Sequence, residues 1–332
     1  MNVNLSIIIV NWNSAEFTKN CIQSIRETTQ HFTYEIIVVD NASRDDSCCV
    51  LAQAFPDMRL LRSERNLGFA GANNLGAAHA TGEKLLFLNP DTIVLGNAIE
   101  IMVSRLDAMT AFGAVGCRLL NGDGTLQTTA VQPFPTVLNQ VLALDWLKQR
   151  FPRLPLWGMR ALYSESPVDL AEVEVVSGAC LMTRRDVFEK VGQFSSDYFM
   201  YAEESDLCCK IKHAGWKTGY AADAEIVHFG GQSTKKNSDW SADVVMRASV
   251  FKFLRKFRGK MYGWAYRIAL LASATVRMTL LAPLVVVRRT LANGDDFLYT
   301  FRKWRRIGAW ALSLDQGPKL GSAETPANAS HG

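Results

Sequence analysis

The stretch Lys84–Thr92, KLLFLNPDT, sets the tightest constraint on what this chain can fold into. Leu85, Leu86, Phe87 and Leu88 form an apolar run the length of a buried strand. Pro90 has no N–H to give a sheet ladder, so the strand has to end before it. Asp91 then falls at the carboxyl end of a buried strand, where open α/β sheets bind ligands. A carboxylate there can hold a divalent cation, and the cation can hold a diphosphate. The position also suits a turn residue or a helix N-cap, and this run alone does not choose between them.

The chain before it repeats the pattern. Ser6–Val10 is a continuous apolar, β-branched run, which reads as a buried parallel strand. Asn13 with Glu16 three residues on resembles a capping box, with Asn in place of Ser or Thr. Phe17, Cys21, Ile22 and Ile25 then share one helical face. Glu35–Val39 is a second strand, closed by Asp40, Asn41 and Ser43. A helix over about 45–55 and a strand over Met58–Leu61 complete a β-α-β-α-β opening. That alternation calls for an α/β fold with a mostly parallel central sheet flanked by helices.

Asn66–Gly76, NLGFAGANNLG, is rich in small residues and asparagine. Another backbone or a ligand can approach such a surface closely, which makes Gly68 and Asn73 candidates for ligand contact. Close helix–sheet packing asks for the same residues. The stretch lacks both the GxGxxG spacing of a dinucleotide fingerprint and the GK[ST] of a phosphate loop. A helix follows over about Asn97–Met109, then a strand over Phe112–Leu120 and a hairpin turn at Asn121–Gly124. Residues 130–170, rich in Pro and aromatic residues, read as a long excursion with a short helix near 136–149, in the place of an acceptor lid.

A strand over Val173–Met182 is interrupted by Ser177-Gly178-Ala179, and Asp186–Val191 is a short helix. After the aromatic run Tyr198–Tyr201, three carboxylates, Glu203, Glu204 and Asp206, fall in the first turn of a helix that ends at Gly215. The helix dipole favours acids there, so their position needs no catalytic explanation by itself. Lys217–Tyr220 and Glu225–Phe229 read as two short strands, and His228 closes the second beside Gly230. A lone histidine in such a place is most often structural.

The seven cysteines have no zinc-site spacing, and Met1–Asn11 lacks the basic start of a signal peptide. A reduced cytosolic protein with packing thiols is expected. Charge is uneven. Residues 244–314 hold 14 Lys/Arg against Asp295 and Asp296, a net of +12, which leaves −8 for the rest of a chain whose net is +4. A mildly acidic body carrying a basic, apolar C-terminal region suggests two jobs.

Taken in order, SIIIVNWN, IIVVDNAS, NLGFAGANNLG, LFLNPDT, VSGACLM, FMYAEESDLCCKIKHAGW and IVHFGG cover residues 5–231. This succession resembles the family 2 inverting glycosyltransferases of the GT-A fold, a Rossmann-like architecture, and within them the rhamnosyltransferase-like bacterial branch. The resemblance implies roles. Asp40 would read the base of a nucleotide sugar, with Asn11 and Asn66 lining its pocket. Asp91 would be the metal-binding acid of the DxD element, for Mg²⁺ or Mn²⁺, with His228 as a further metal or diphosphate contact. Glu203-Glu204 falls on the family's Glu-Asp pair, making Glu204 the catalytic base and Asp206 the reserve. Two departures stand out: Asn89 replaces the first acid of DxD, offering a ribose or metal contact without charge, and Glu204 is one methylene longer than Asp. By the same analogy the donor is dTDP-L-rhamnose, then UDP-hexoses or a UDP-N-acetylhexosamine. The acceptor is a lipid-linked saccharide of bacterial surface polysaccharide synthesis.

Two other classes compete. A nucleotidyltransferase that makes an activated sugar wants a Gly-rich, Arg/Lys-bearing loop after the first strand, and NWNSAEF offers none. A non-catalytic nucleotide-sugar-binding module would tolerate the altered NPD and EES elements. The boundaries expected are a catalytic domain over 1–240, its nucleotide-sugar half about 1–120 and its acceptor half about 121–240. A helical membrane-associating region over 241–314 and a disordered tail over 315–332 follow. Trp264–Val287 is long enough to span a bilayer, but Arg277 sits near its centre and Pro283 would kink it. The reading is of amphipathic helices lying on the cytoplasmic membrane surface, flanked by basic clusters at Lys252–Lys260, Arg288–Arg289 and Arg302–Arg306 and anchored by Trp264, Trp304 and Trp310. The contrary reading is a helical subdomain packed on the catalytic domain or forming a homodimer interface. Nucleic acid is not expected, because so much Leu, Val and Ala does not suit a phosphate-binding face.

Overall fold

The apolar runs become neighbouring strands in the computed structural model, which describes residues 3–143, 145–163, 170–230, 242–288 and 295–313. β1 (Leu5–Asn11), β2 (Tyr34–Asp40), β3 (Arg59–Arg62) and β4 (Lys84–Leu88) run parallel in the order β3-β2-β1-β4. The register places Asn11 beside Asp40 and Ile9 beside Leu88. Asn11, Asp40 and the Asn89–Asp91 turn therefore collect at one carboxyl edge. Between the strands lie α1 (Ala15–Thr28), α2 (Ser47–Ala54) and α3 (Gly68–Ala78). Cys21, Ile22 and Ile25 of α1 and Leu51 of α2 are fully buried, as their spacing requires. The capping box is not formed. Ser14 holds the N-cap position, while Asn13 sits at φ 50° with its Oδ1 accepting from the Arg44 N–H.

The sheet continues with later chain. β5 (Thr92–Val94), α4 (Ala98–Ala108) and β6 (Phe112–Leu120) follow β4. β7 (Val131–Gln132), α5 (Val137–Val141) and α6 (Asp145–Arg150) lie in the Pro- and aromatic-rich excursion, whose expected single helix is two short ones. β8 (Ala171–Val173), β9 (Val175–Val176) and β10 (Cys180–Arg184) come next, then α7 (Arg185–Lys190), α8 (Glu203–His213) and β11 (Lys217–His228). β10 enters antiparallel between β4 and β6, and β11 runs parallel to β6. Across the sheet the order is β3-β2-β1-β4-β10-β6-β11-β5, with β8 beside β11, so the parallel class holds in the main strands while β10, β5 and β8 pair antiparallel. The two short strands expected at 217–229 are one, irregular between Ala221 and Glu225. A pairing break shifts register without ending the strand.

After the sheet come α9 (Ala242–Arg258), α10 (Lys260–Arg288) and α11 (Asp295–Ala311). They pack on the sheet's helical layer. Val250, Phe253, Leu254, Tyr266, Leu270, Trp304, Ile307 and Trp310 share one buried cluster with Ile8, Phe87, Phe188 and Leu207. Trp304 and Trp310 are only 7% and 6% exposed, so they are core residues and not interfacial anchors. Arg277 does not face outward either. Its guanidinium lies 4.2 Å from the Trp304 ring centroid and donates to the Val141 carbonyl at 3.3 Å. Arg267 stacks against Trp310, Trp264 and Phe251. These are cation–π partners, which explains how a helix so apolar carries Arg267 and Arg277 in its middle. The side chains of Arg288 and Arg289 and the tail over 315–332 lie outside the described residues.

Replacing Trp304 with Ala should cost about 3–5 kcal/mol by removing a buried aromatic side chain. The urea midpoint of the full-length protein should drop accordingly. A change within experimental error would mean that α11 does not dock.

Candidate active site

The carboxyl edge buries polar groups and pairs them. Asp40, ending β2, accepts from Asn11 Nδ2 at 2.9 Å and from the Ser43 N–H at 3.1 Å. Asn11 is fully buried, and its Oδ1 accepts from Thr18 Oγ1 at 2.8 Å and Ser14 Oγ at 3.1 Å. Asn11 thus orients Asp40 from behind instead of lining a pocket. Ala42, beside Asp40, is held at φ 63°, a conformation that non-glycine residues adopt at a cost. Asn41 then fastens the next loop: its Nδ2 donates to Asn66 Oδ1 at 3.0 Å and its Oδ1 accepts from the Leu67 N–H at 2.8 Å. Asn66 Oδ1 also accepts from the Gly68 N–H at 2.9 Å, so Asn66 shapes the turn into α3.

Gly68 has φ +70°, and a Cβ on it would lie 2.3 Å from the Phe199 carbonyl oxygen. The Phe69 N–H donates to that same oxygen at 2.9 Å. The glycine is required because two pieces of backbone meet there. Asn73, nearly buried, donates to the Phe69 carbonyl at 3.0 Å within α3. Its neighbour Asn74 clamps Phe194 through both its amide nitrogen and oxygen, at 2.8 and 3.1 Å. The small, asparagine-rich segment is the joint between the loop after β2 and the aromatic loop that precedes α8.

Asp91, 5% exposed, meets a histidine from the end of β11. β5 pairs antiparallel with β11, placing His228 opposite Thr92, and the Phe229 N–H donates to the Asp91 carbonyl at 3.0 Å. His228 Nδ1 is 2.8 Å from Gln127 Oε1. Gln127 Nε2 donates to Asn121 Oδ1 at 3.0 Å, which fixes its oxygen toward the ring. The other ring nitrogen, Nε2, lies 3.2 Å from Asn89 Nδ2 and 3.4 Å from Asp91 Oδ1. A histidine held by its second nitrogen, with a carboxylate beside the first, is a donor set suited to a divalent cation. Among the described residues no three or more His, Cys, Asp or Glu side chains cluster to hold a metal. The fit is to an ion such as Mg²⁺ or Mn²⁺, which takes few protein ligands and completes its shell with phosphate and water.

The acidic turn reaches the same edge through Ser177-Gly178-Ala179. The Asn89 N–H donates to the Ala179 carbonyl at 2.9 Å, and a Cβ on Gly178 would lie 3.8 Å from Glu204 Cβ. The interruption in that strand is what joins the Asn89–Asp91 turn to α8. Tyr201 and Ala202, at φ 69° and 66°, aim the start of the helix. Glu204 is half-buried, and burial raises its carboxyl above the ordinary range. Glu203 is buried and Oε2 has no hydrogen-bond partner; burial, then the charge of Glu204, pushes it well up. Asp206 is a different case. It is fully buried and accepts from Ser195 Oγ at 2.6 Å, Tyr198 OH at 3.1 Å and Lys256 Nζ at 2.6 Å, with Lys210 Nζ at 3.2 Å. A carboxylate so enclosed has no path to a substrate proton, which removes it as a reserve base.

Sequence reasoning passed over Asn41, Asn74 and Gln127. Asn41 and Asn74 sat inside quoted motifs as unranked asparagines. Gln127 carried no signal, since its role depends on a hydrogen bond across 101 positions of chain.

With this geometry in place, comparison with known proteins is informative. The profile of glycosyl transferase family 2 matches residues 6–192. The chain belongs to that family and is a glycosyltransferase. More particularly it is rhamnosyltransferase-like. It is 28% identical over 250 residues to the N-acetylglucosaminyl-diphospho-decaprenol L-rhamnosyltransferase of Mycobacterium tuberculosis, covering 70% of this chain and 78% of that protein. It is 25% identical over 234 residues to the rhamnosyltransferase WbbL of Escherichia coli, covering 67% and 82%. In fold it is similar to a mannosyltransferase of Pyrobaculum calidifontis solved with GDP-Man and Mn²⁺, with TM-score 0.57 and 18% identity over 95% of this chain and 87% of the other.

Glu203 gives a pH-dependent stability test. Its folded-state pKa is raised, so its contribution to stability is present at low pH and is lost as pH rises through that pKa. Glu203→Gln mimics the protonated form. It should be more stable than the parent at pH 8, by on the order of 1–3 kcal/mol for a buried group left unpaired, and should show little gain at pH 4. Urea midpoints at the two pH values check this; a variant less stable at pH 8 would mean the carboxylate has a partner.

Proposed function

We propose that this chain transfers a sugar, with inversion, from a nucleotide donor to a lipid-linked saccharide in bacterial surface polysaccharide synthesis. The donor read first is dTDP-L-rhamnose, with UDP-sugars second. The observation that carries the reading is the meeting of Asp40, the Asp91–His228 pair and Glu204 at one sheet edge, linked by Asn89 and Gly178. The likeness to two rhamnosyltransferases, one acting on a decaprenol-linked diphosphate sugar, supports the donor and acceptor classes. Neither competing class explains the edge so well: a binding module needs no base, and a nucleotidyltransferase needs cations after β1.

Each residue then has a task. Asp40, oriented by Asn11, accepts from the N3–H of uracil or thymine. Asp91 and His228 would hold a divalent cation, which when bound offsets the charge of the departing diphosphate. Glu204 takes the proton of the acceptor hydroxyl as that oxygen bonds to the anomeric carbon. The bond from that carbon to the diphosphate oxygen breaks, and the leaving group keeps the electron pair. A raised carboxyl brings the base closer to the working pH.

The C-terminal helices support a membrane-surface site. Residues Lys260–Pro283 form a helix long and apolar enough to cross a membrane, with mean hydropathy 1.2. Its outer face carries Met261, Trp264, Ile268, Val276 and Leu280, all exposed, at helical spacing and without a charge among them. Arg255, Arg258, Lys260, Arg302, Arg305 and Arg306 are exposed on the three helices. We read the region beyond residue 240 as resting on the inner face of the plasma membrane from the cytoplasm, with Trp264 as the remaining interfacial tryptophan. A homodimer through the same face is the competing use.

Glu204→Gln should lower transfer by about 10²–10⁴, the usual worth of a general base, with donor binding retained in calorimetry. In the parent, transfer should fall as pH drops through a pKa above the ordinary glutamate range, and EDTA should abolish it. Full transfer by Glu204→Gln would unseat the base. Full transfer in EDTA would unseat the metal and leave the glycosyltransferase intact.

For the membrane, the full-length protein should float with anionic liposomes. Replacing Met261, Trp264, Ile268 and Leu280 by Ser should abolish flotation. Protein that stays in the soluble fraction with anionic vesicles, or that dimerises through these residues instead, rules out the surface role.

A further inference from the structure

The loop that delivers the acidic pair is braced by α9. Ser249, Lys252 and Lys256 of α9 fall at i, i+3 and i+7, one face of a helix. Ser249 Oγ donates to the Met200 carbonyl at 2.8 Å, and Lys252 Nζ to the Asp197 carbonyl at 2.6 Å. Lys256 Nζ donates to Ser195 Oγ at 2.8 Å and to Asp206 Oδ2 at 2.6 Å. The loop is held from its other sides as well. Phe69 binds the Phe199 carbonyl, Asn74 clamps Phe194, and Lys210 donates to the Gln193 carbonyl. The chain then passes through Tyr201 and Ala202, two consecutive non-glycine residues with positive φ, directly before Glu203 and Glu204. Such backbone persists only where its surroundings over-determine it.

We infer that α9 is a strut for the active site, and that Lys256 is a positioning residue for Glu204, acting through Asp206 and the loop 195–202. The inference rests on Glu204 being the base. Asp206 supplies the fixed point. It is fully buried in the first turn of α8, two residues past Glu204, and it receives Lys256 from α9 and Ser195 and Tyr198 from the loop. One carboxylate thus ties the loop, the helix carrying the acids and the C-terminal region together. A C-terminal region that served only to dock the enzyme would not need a lysine whose Nζ reaches this buried carboxylate. Residues 193–206 form the far wall against which Gly68 and Phe69 close, so the strut sets the position of Glu204 relative to the nucleotide side.

The test uses the full-length chain. In Lys256→Met, amide hydrogen exchange should quicken in residues 195–204 and stay unchanged in β1, β2 and β4. The kcat should fall about tenfold or more, with the Kd for dTDP within about twofold of the parent. Lys256→Arg, which keeps a donor at the same place, should recover most of the loss. If Lys256→Met does not fold, Ser249→Ala removes only the bond to Met200 and is read in the same way, with a smaller effect. An unchanged kcat, an unchanged exchange pattern, or exchange and dTDP affinity deteriorating together across the protein would overturn the proposal. Exchange is read without substrate, so it stands apart from the assigned reaction. Quickened exchange in a protein whose Glu204→Gln form still transfers sugar would keep the strut and dismiss the base.

Discussion

Putting a carboxylate into a protein interior costs several kcal/mol unless donors surround it, and this sheet edge buries four: Asp40, Asp91, Glu203 and Asp206. Most of the local architecture answers that cost. Asp40 has Asn11 and the Ser43 N–H, and Asp206 has a serine, a tyrosine and two lysines. Asp91 faces His228, whose Nε2 lies 3.4 Å from Oδ1 and 3.2 Å from Asn89 Nδ2. Glu203 has an oxygen with no partner at all. The edge therefore grades from Asp206, enclosed by donors on every side, through Asp40, oriented by two, to Glu203, which is left short of them.

This grading separates residues that the sequence presents as equals. Glu203, Glu204 and Asp206 sit in one helical turn and look interchangeable on paper. Only tertiary contacts distinguish them, since Lys256 arrives from 50 positions further along the chain. The strands were legible because apolar runs ended by Asn, Asp or Pro obey local rules. Asp40, Asp91 and His228 were legible because those rules, with the family resemblance, place them at strand ends. Asn11 was read as a pocket wall because its residue type and position allowed it, while its full burial depends on Ser14, Thr18 and Ser43 converging around it.

The C-terminal region shows the limit of reading composition. Its arginines and tryptophans looked like elements of a membrane anchor. Arg277 on Trp304 and Arg267 on Trp310 instead pair with tryptophans buried in the protein, and Trp264 stays exposed. Amphipathic periodicity says that a helix has two faces, but not which face meets protein. Here both are apolar over most of α10. The buried side meets the catalytic layer through Tyr266, Leu270 and Ala274, and the other remains exposed.

The antiparallel insertion of β10 has a consequence for how the molecule comes into being. Among the described residues β10 is the one strand joining the four-strand half ending in β4 to the half beginning with β6. During synthesis, β1 to β6 emerge long before residues 180–184. Until those residues arrive, β4 and β6 each offer an unpaired apolar edge, open to pairing with another chain. The first 120 residues are thus not a free-standing module that could be excised or exchanged. The central seam closes late, and a nascent chain halted before it would be an aggregation hazard for the cell that makes it.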